Sequence, residues 1–227
     1  MWHGLTASVG AFGLVAQLIL VIDGAQVLVT DERLSLGERL LHFFSYFTVL
    51  SNLLVLVSAV TLLRNPARDG AGWRVLRLSG LTGIIVTGIV HWFFLRPLLD
   101  LTGWSYGVDK VLHVAVPLLA AVGWALFGPR PRVSGRTYGL SLLYPAVWLV
   151  YILALGAATG WYPYPFLDVD ELGGGRVAVV CLALTGAIVL VAGLLWWGDR
   201  KLRAGPVPSP LTESQPGSRH PRSRASA

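Results

Sequence analysis

Long apolar runs recur six times along this chain, and each is close to the roughly 20 residues that a helix needs to cross a hydrocarbon slab of about 30 Å. They cover residues 5–29, 41–63, 78–97, 110–128, 137–159 and 177–197. A bilayer accepts only segments whose backbone is bonded internally, and the even alternation of a barrel strand is missing here. The expected fold is therefore all-α, a polytopic membrane protein with six transmembrane helices. Composition agrees, since 54% of the 227 residues are hydrophobic and only 13% charged, with a mean hydropathy of +0.64. Five more runs follow the first, which has no Lys or Arg ahead of it, so it is not expected to be a cleaved signal peptide.

Orientation follows from the basic residues. Thirteen of the 18 Lys and Arg fall in the second and fourth loops and the C-terminal tail, among them Arg64, Arg68, Arg74, Arg77, Arg130, Arg132, Arg136 and Arg200. By the positive-inside rule both termini are expected to be cytoplasmic, in a multi-pass protein of the cell membrane. The net charge of +6 then reflects topology and attraction to anionic lipids. Nucleic-acid binding is not expected, because it wants basic residues gathered on one exposed domain. Residues 1–203 read as one transmembrane domain and 204–227, rich in Pro, Ser and Arg, as a disordered basic cytoplasmic tail. Cys181 is the only cysteine, which rules out an internal disulfide and a thiolate metal cluster, and it reads as a packing residue.

Ionisable groups are costly in lipid and mark the place to look for function. Asp23, Thr48, His91 and His113 lie on four different runs and, by topology, at nearly one depth in the outer third. A shared cavity opening outward is expected there. In HFFSYFTVLSNLL the spacing of Ser45, Thr48 and Asn52 predicts one polar stripe on the second helix. In VDKVLHVAVP, Asp109 lies one turn from His113, where its carboxylate can accept an imidazole proton, fix the tautomer and leave the other nitrogen free as a base. An unassisted hydroxyl is a poor nucleophile, and Thr48 with His113 and Asp109 supplies the base and its orienting group. Pro117 removes the ladder bond to the carbonyl of His113 and is expected to bend the helix. His91 is expected to pair with Asp23 inside the bundle or to bind a substrate oxygen. Candidates for oxyanion or substrate contact are Ser45, Asn52, His91, Asp23, Tyr162 and Tyr164, the tyrosines lying in the stiff outer loop WYPYPFLDVDELGGG, which is expected to roof the cavity.

Taken together, FFSYFTVLSNLL, LHVAVP and GWYPYPFLDVDELGGGRV resemble the bacterial six-span proteins called Pr-six-Pr, over most of residues 5–200. That family is distantly similar to the androgen-induced membrane proteins, which hydrolyse fatty acid esters of hydroxy fatty acids with an intramembrane threonine and a histidine. The resemblance implies Thr48 as nucleophile and His113 as base. It implies membrane lipids or a fatty acyl ester as substrate, with no metal and no cofactor. Two other classes stay open from the residues alone. His42, His91 and His113 suit a haem-binding electron carrier, and Asp23 with His91 suits a proton relay in a lipid carrier.

Overall fold

The structure, a computed structural model, describes residues 1–24 and 34–202, so the tail and residues 25–29 of the first run lie outside the described residues. Ten helices follow in order: α1 (Trp2–Ile22), α2 (Leu36–Ser45), α3 (Phe47–Arg64), α4 (Ala71–Val90), α5 (Gly103–Lys110), α6 (Val116–Phe127), α7 (Gly135–Ser141), α8 (Leu143–Thr159), the single turn α9 (Val169–Leu172) and α10 (Gly174–Lys201). With their continuations they make six segments long and apolar enough to cross a membrane: Trp2–Ile22, Phe47–Arg64, Ala71–Leu98, Gly103–Phe127, Gly135–Thr159 and Gly174–Lys201. Large apolar side chains cover the outside, Leu182 being 73% exposed and Val150 70%, as a lipid-facing surface requires. The fold class is as expected. Two boundaries are not.

The first difference is at α1, which ends at Ile22, inside the apolar run rather than at its end. Asp23 is its exposed C-cap, and Gly24 takes the left-handed conformation (φ 94°) that stops a helix. Asp23 therefore does not sit six residues inside the bundle. The second is a break in the second run. Tyr46 is extended (ψ 128°), so α2 and α3 are separate helices, and Ser45 does not share a helix face with Thr48 and Asn52. α2 is instead a short amphipathic helix, started by a reciprocal capping box between Ser35 and Glu38.

The break leaves the carbonyl of Ser45 without its helical donor, and the buried indole of Trp148 supplies one at 2.9 Å. The Ser45 hydroxyl donates to Leu41 O at 2.7 Å and meets Tyr151 Oη at the same distance, so both polar groups of this residue serve the fold. Trp148→Phe keeps the packing but orphans a buried carbonyl. It is expected to cost about 1–3 kcal/mol, read as a lowered Tm in detergent.

Small residues let the spans approach. Ser79 donates to Ser141 O at 3.2 Å, and a Cβ on Gly83 would lie 2.5 Å from Ser51 Oγ, as their four-residue spacing implies. One end of the bundle is fastened by arginines. Buried Arg77 donates to Pro129 O, and the backbone N–H groups of Arg132 and Val133 donate to buried Asp199 at 2.6 and 2.7 Å. Arg74 binds Asp69 through two 2.6 Å bonds and Arg132 adds a 2.7 Å ion pair, which together hold the Asp69 carboxyl well below the usual carboxylate range. The start of α1 and the end of α6 meet at this same end, where Trp2 packs on Phe127. His91, His113 and the tyrosine-proline loop lie toward the opposite one.

Candidate functional site

His91 and His113 both sit in departures from α-helical geometry. The chain makes π-turns over His91–Leu95 and Val111–Ala115, the first running into a 3-10 turn at Pro97 and the second directly into α6 and Pro117. A proline cannot donate to the carbonyl four residues back, and a widened turn shifts the hydrogen-bond register by one residue just ahead of it. Val116 N accordingly reaches Val111 O, five residues back. Gly88 lets α4 close on this distorted backbone, since a Cβ there would lie 3.3 Å from His113 O.

The result is a compact polar cluster drawn from three spans. Thr48 Oγ1 on α3 lies 3.3 Å from His113 Nε2. The other ring nitrogen of His113, Nδ1, is 2.9 Å from Asp109 Oδ1 and 3.0 Å from the Asp109 carbonyl oxygen. Both are acceptors, so Nδ1 carries the proton and Nε2 presents its lone pair to the Thr48 hydroxyl. Asp109 Oδ2 meets Lys110 Nζ at 2.7 Å and His91 Nε2 at 3.3 Å. The His91 and His113 rings stack with centroids 4.0 Å apart and planes within 17°, which stops the His113 ring from turning. His113 keeps 15% of its side chain exposed to the adjoining cavity, against 1% for His91. The accessible imidazole is thus the one touching the hydroxyl.

Of the residues expected at the site, Thr48, His113, Asp109 and His91 come together. Asp23 does not, and His91 finds Asp109 in its place. Ser45 is fully buried and spent on Leu41 and Tyr151. Asn52 is also fully buried, its amide donating to Thr48 O at 2.8 Å and Leu112 O at 3.4 Å. It ties α3 to the histidine-bearing span, and neither Asn52 nor Ser45 lines the cavity that holds Thr48 and His113, so neither is placed to stabilise an oxyanion there.

Tyr164 does line the cavity. The tyrosine-proline loop folds over Thr48, with Tyr164 buried between Tyr46, Trp148 and Phe166 and in the same cavity wall as Thr48 and His113. Burial pushes the Tyr164 phenol up, so it stays a protonated donor throughout the working pH range. Tyr162 is a wedge against Gly156, whose missing Cβ makes room for the ring. His42 stacks on Trp161 with ring centroids 3.6 Å apart, and burial there lowers its pKa, against the opposing pull of Glu38. These residues roof a cavity of about 390 Å³ that contains Thr48, His91, Asp109 and His113 in its walls.

The cluster has a second chemical aspect. His91, Asp109 and His113 offer ligand atoms all within 4.8 Å of one another, a spacing that suits a divalent transition ion. His91 Nε2 approaches Asp109 off the hydrogen-bond axis, and both its ring nitrogens are buried without a hydrogen-bond partner among the described residues. Against an ion stand Lys110, which already supplies a positive charge at Oδ2, and the engagement of His113 Nδ1 with a backbone carbonyl. A haem is poorly accommodated, because two imidazoles stacked face to face leave no gap for a macrocycle between them. No family model matches the chain, and neither a curated protein nor a solved structure is similar to it.

Proposed function

We propose that this protein is an intramembrane lipid ester hydrolase with Thr48 as nucleophile, in line with its resemblance to the Pr-six-Pr and androgen-induced families. Both termini are on the cytoplasmic side and the catalytic cavity opens toward the outer leaflet, following the arginine distribution. The observation that carries the reading is the 3.3 Å contact between Thr48 Oγ1 and His113 Nε2, with Nδ1 of the same ring held by Asp109. Contacts of this kind are often long before substrate binds and tighten in the complex.

Thr48 Oγ attacks the ester carbonyl carbon while His113 Nε2 takes the hydroxyl proton, and Asp109 stabilises the imidazolium. The tetrahedral oxyanion receives a hydrogen bond from Tyr164. Collapse breaks the ester C–O bond, and the alcohol leaves with the proton from His113. Water, deprotonated by the same imidazole, then attacks the acyl-threonine and releases the fatty acid with Thr48 restored. Removing one oxyanion donor costs about 10²–10³ in kcat in other hydrolases, and Tyr164→Phe is expected to lower kcat by a similar factor with little change in KM.

The His91, Asp109 and His113 triangle favours a second reading, in which a divalent ion held there activates water directly. One experiment separates the two. Purified protein is treated with an alkyl fluorophosphonate, with and without 1,10-phenanthroline. Labelling that survives the chelator and disappears in Thr48→Ala and His113→Ala supports the threonine mechanism. Stoichiometric zinc, absent in His91→Ala, together with no fluorophosphonate adduct, supports the metal. Equal labelling of wild type and both variants overturns the nucleophile assignment.

A further inference from the structure

Thr48 borders a second chamber as well as the outer cavity. This inner chamber, about 200 Å³, lies at mid-span between α4, α8 and α10, and only Thr48, Leu95 and Tyr164 are common to the walls of both. The two spaces differ in chemistry. The outer one carries Arg39, His42, Asp168 and Glu171 as well as the catalytic groups. The inner one is walled by Val86, Val90, Trp148, Leu149, Leu184 and Ile188, with no ionisable side chain among the described residues apart from the Tyr164 phenol at the junction. Its Thr185 hydroxyl spends its proton on the Cys181 carbonyl at 2.8 Å, and the Thr87 hydroxyl, buried without a hydrogen-bond partner among the described residues, is the one spare polar donor on the α4 side. Ala146 and Val189 line the chamber and are also exposed on the bundle surface, Val189 by 41%. The chamber is therefore open sideways, between α8 and α10, at the depth of the hydrocarbon.

From this placement we infer a fixed direction for the substrate: the inner chamber takes the acyl half of the ester and the outer cavity takes the alcohol half. The inference rests on the hydrolase reading given above. An unbranched hydrocarbon chain is the one substrate part that matches a narrow space without ionisable partners, reached from the lipid phase. With its carbonyl carbon at Thr48, such a chain runs between α4 and α10 and passes toward the bilayer through the α8/α10 opening. The leaving group then emerges among charged side chains on the side where water enters, and the acyl-threonine left behind keeps its chain in the apolar chamber until it is hydrolysed. Val86, Ala146, Thr185 and Ile188 set which acyl chains fit. The outer loop sets which alcohols do.

Two arms test the inference. In the first, kcat/KM is compared for 4-nitrophenyl palmitate and 4-nitrophenyl butyrate in detergent micelles. Thr185→Phe and Ala146→Phe place a ring in the chamber at surface-accessible positions, and each is expected to lower the palmitate-to-butyrate ratio at least tenfold. Leu182→Phe, which points away into lipid, is expected to leave it unchanged. A ratio unmoved by either chamber variant, or moved equally by Leu182→Phe, overturns the inference. The second arm needs no turnover: a 16-carbon fatty acid with a diazirine at its terminal carbon is irradiated with the purified protein and the adducts are mapped. Adducts on α8 and α10 around Ala146 and Ile188, reduced in Thr185→Phe, support the chamber even if ester hydrolysis fails. Adducts confined to the outer cavity, at Phe43 or Leu99, contradict it.

Discussion

Replacing Thr48 with alanine is expected to lower turnover of a long-chain acyl ester by about 10³-fold or more, and His113→Ala is expected to do the same. In the proposed mechanism nucleophile and base act as one unit, so losing either removes the same step, and comparable pairs in serine hydrolases cost up to about 10⁶. Combining the two substitutions should add little beyond either alone. Thr48→Ser is the informative companion, because it keeps a hydroxyl 3.3 Å from the imidazole and should retain measurable turnover. Neither alanine variant is expected to unfold the bundle. The Thr48 side chain is a small part of its cluster, and α3 remains tied through Asn52 to the Leu112 carbonyl of the histidine-bearing span. A helical circular dichroism spectrum checks that control for both, with a Tm close to wild type for Thr48→Ala and a lowered one for His113→Ala, which takes a partner from buried Asp109.

The second large effect is expected at Asp109. Asp109→Asn preserves shape but removes the charge that stabilises a His113 imidazolium and weakens the acceptor at 2.9 Å from Nδ1. The loss in kcat should be about 10⁴-fold, as when the orienting carboxylate of a catalytic triad is neutralised, with KM nearly unchanged. Because Asp109 also binds Lys110 and approaches His91, the same change should lower Tm, a buried charge partner having been removed. A kcat loss matched by an equal rise in KM would instead mean that Asp109 holds substrate.

Much of this was legible in the residues. Length and hydropathy gave six spans, because a bilayer imposes one thickness on every helix. The meeting of Thr48 with His113 followed from depth, and that of His113 with Asp109 from one-turn spacing, both of which survive moderate changes in helix boundaries. Where the reading failed, local chemistry had overridden the apolar pattern. Asp23 followed by Gly24 is a helix stop, and α1 ends there although the apolar run continues in the sequence. The break at Tyr46 has no glycine or proline to announce it. It depends on an indole from α8 reaching Ser45 O, a contact 103 residues away in sequence. The partnership of His91 with Asp109 was hidden for a related reason, since two π-turns rotate side chains away from where regular helices would put them. The inner chamber was invisible because its walls are ordinary aliphatic residues, distinguishable from lipid-facing ones only once α8 and α10 are seen to leave a gap.

The most direct measurement is a mass spectrum of the protein quenched in acid during turnover of a 4-nitrophenyl acyl ester, with peptides mapped across α3. The expected result is a mass increase of one acyl group on the peptide carrying Thr48, located to that residue by fragmentation, abolished in Thr48→Ala and accumulating in any variant that slows deacylation. Steady hydrolysis with no adduct on that peptide, or an acyl group found on another residue, would contradict the assignment of Thr48 as the nucleophile.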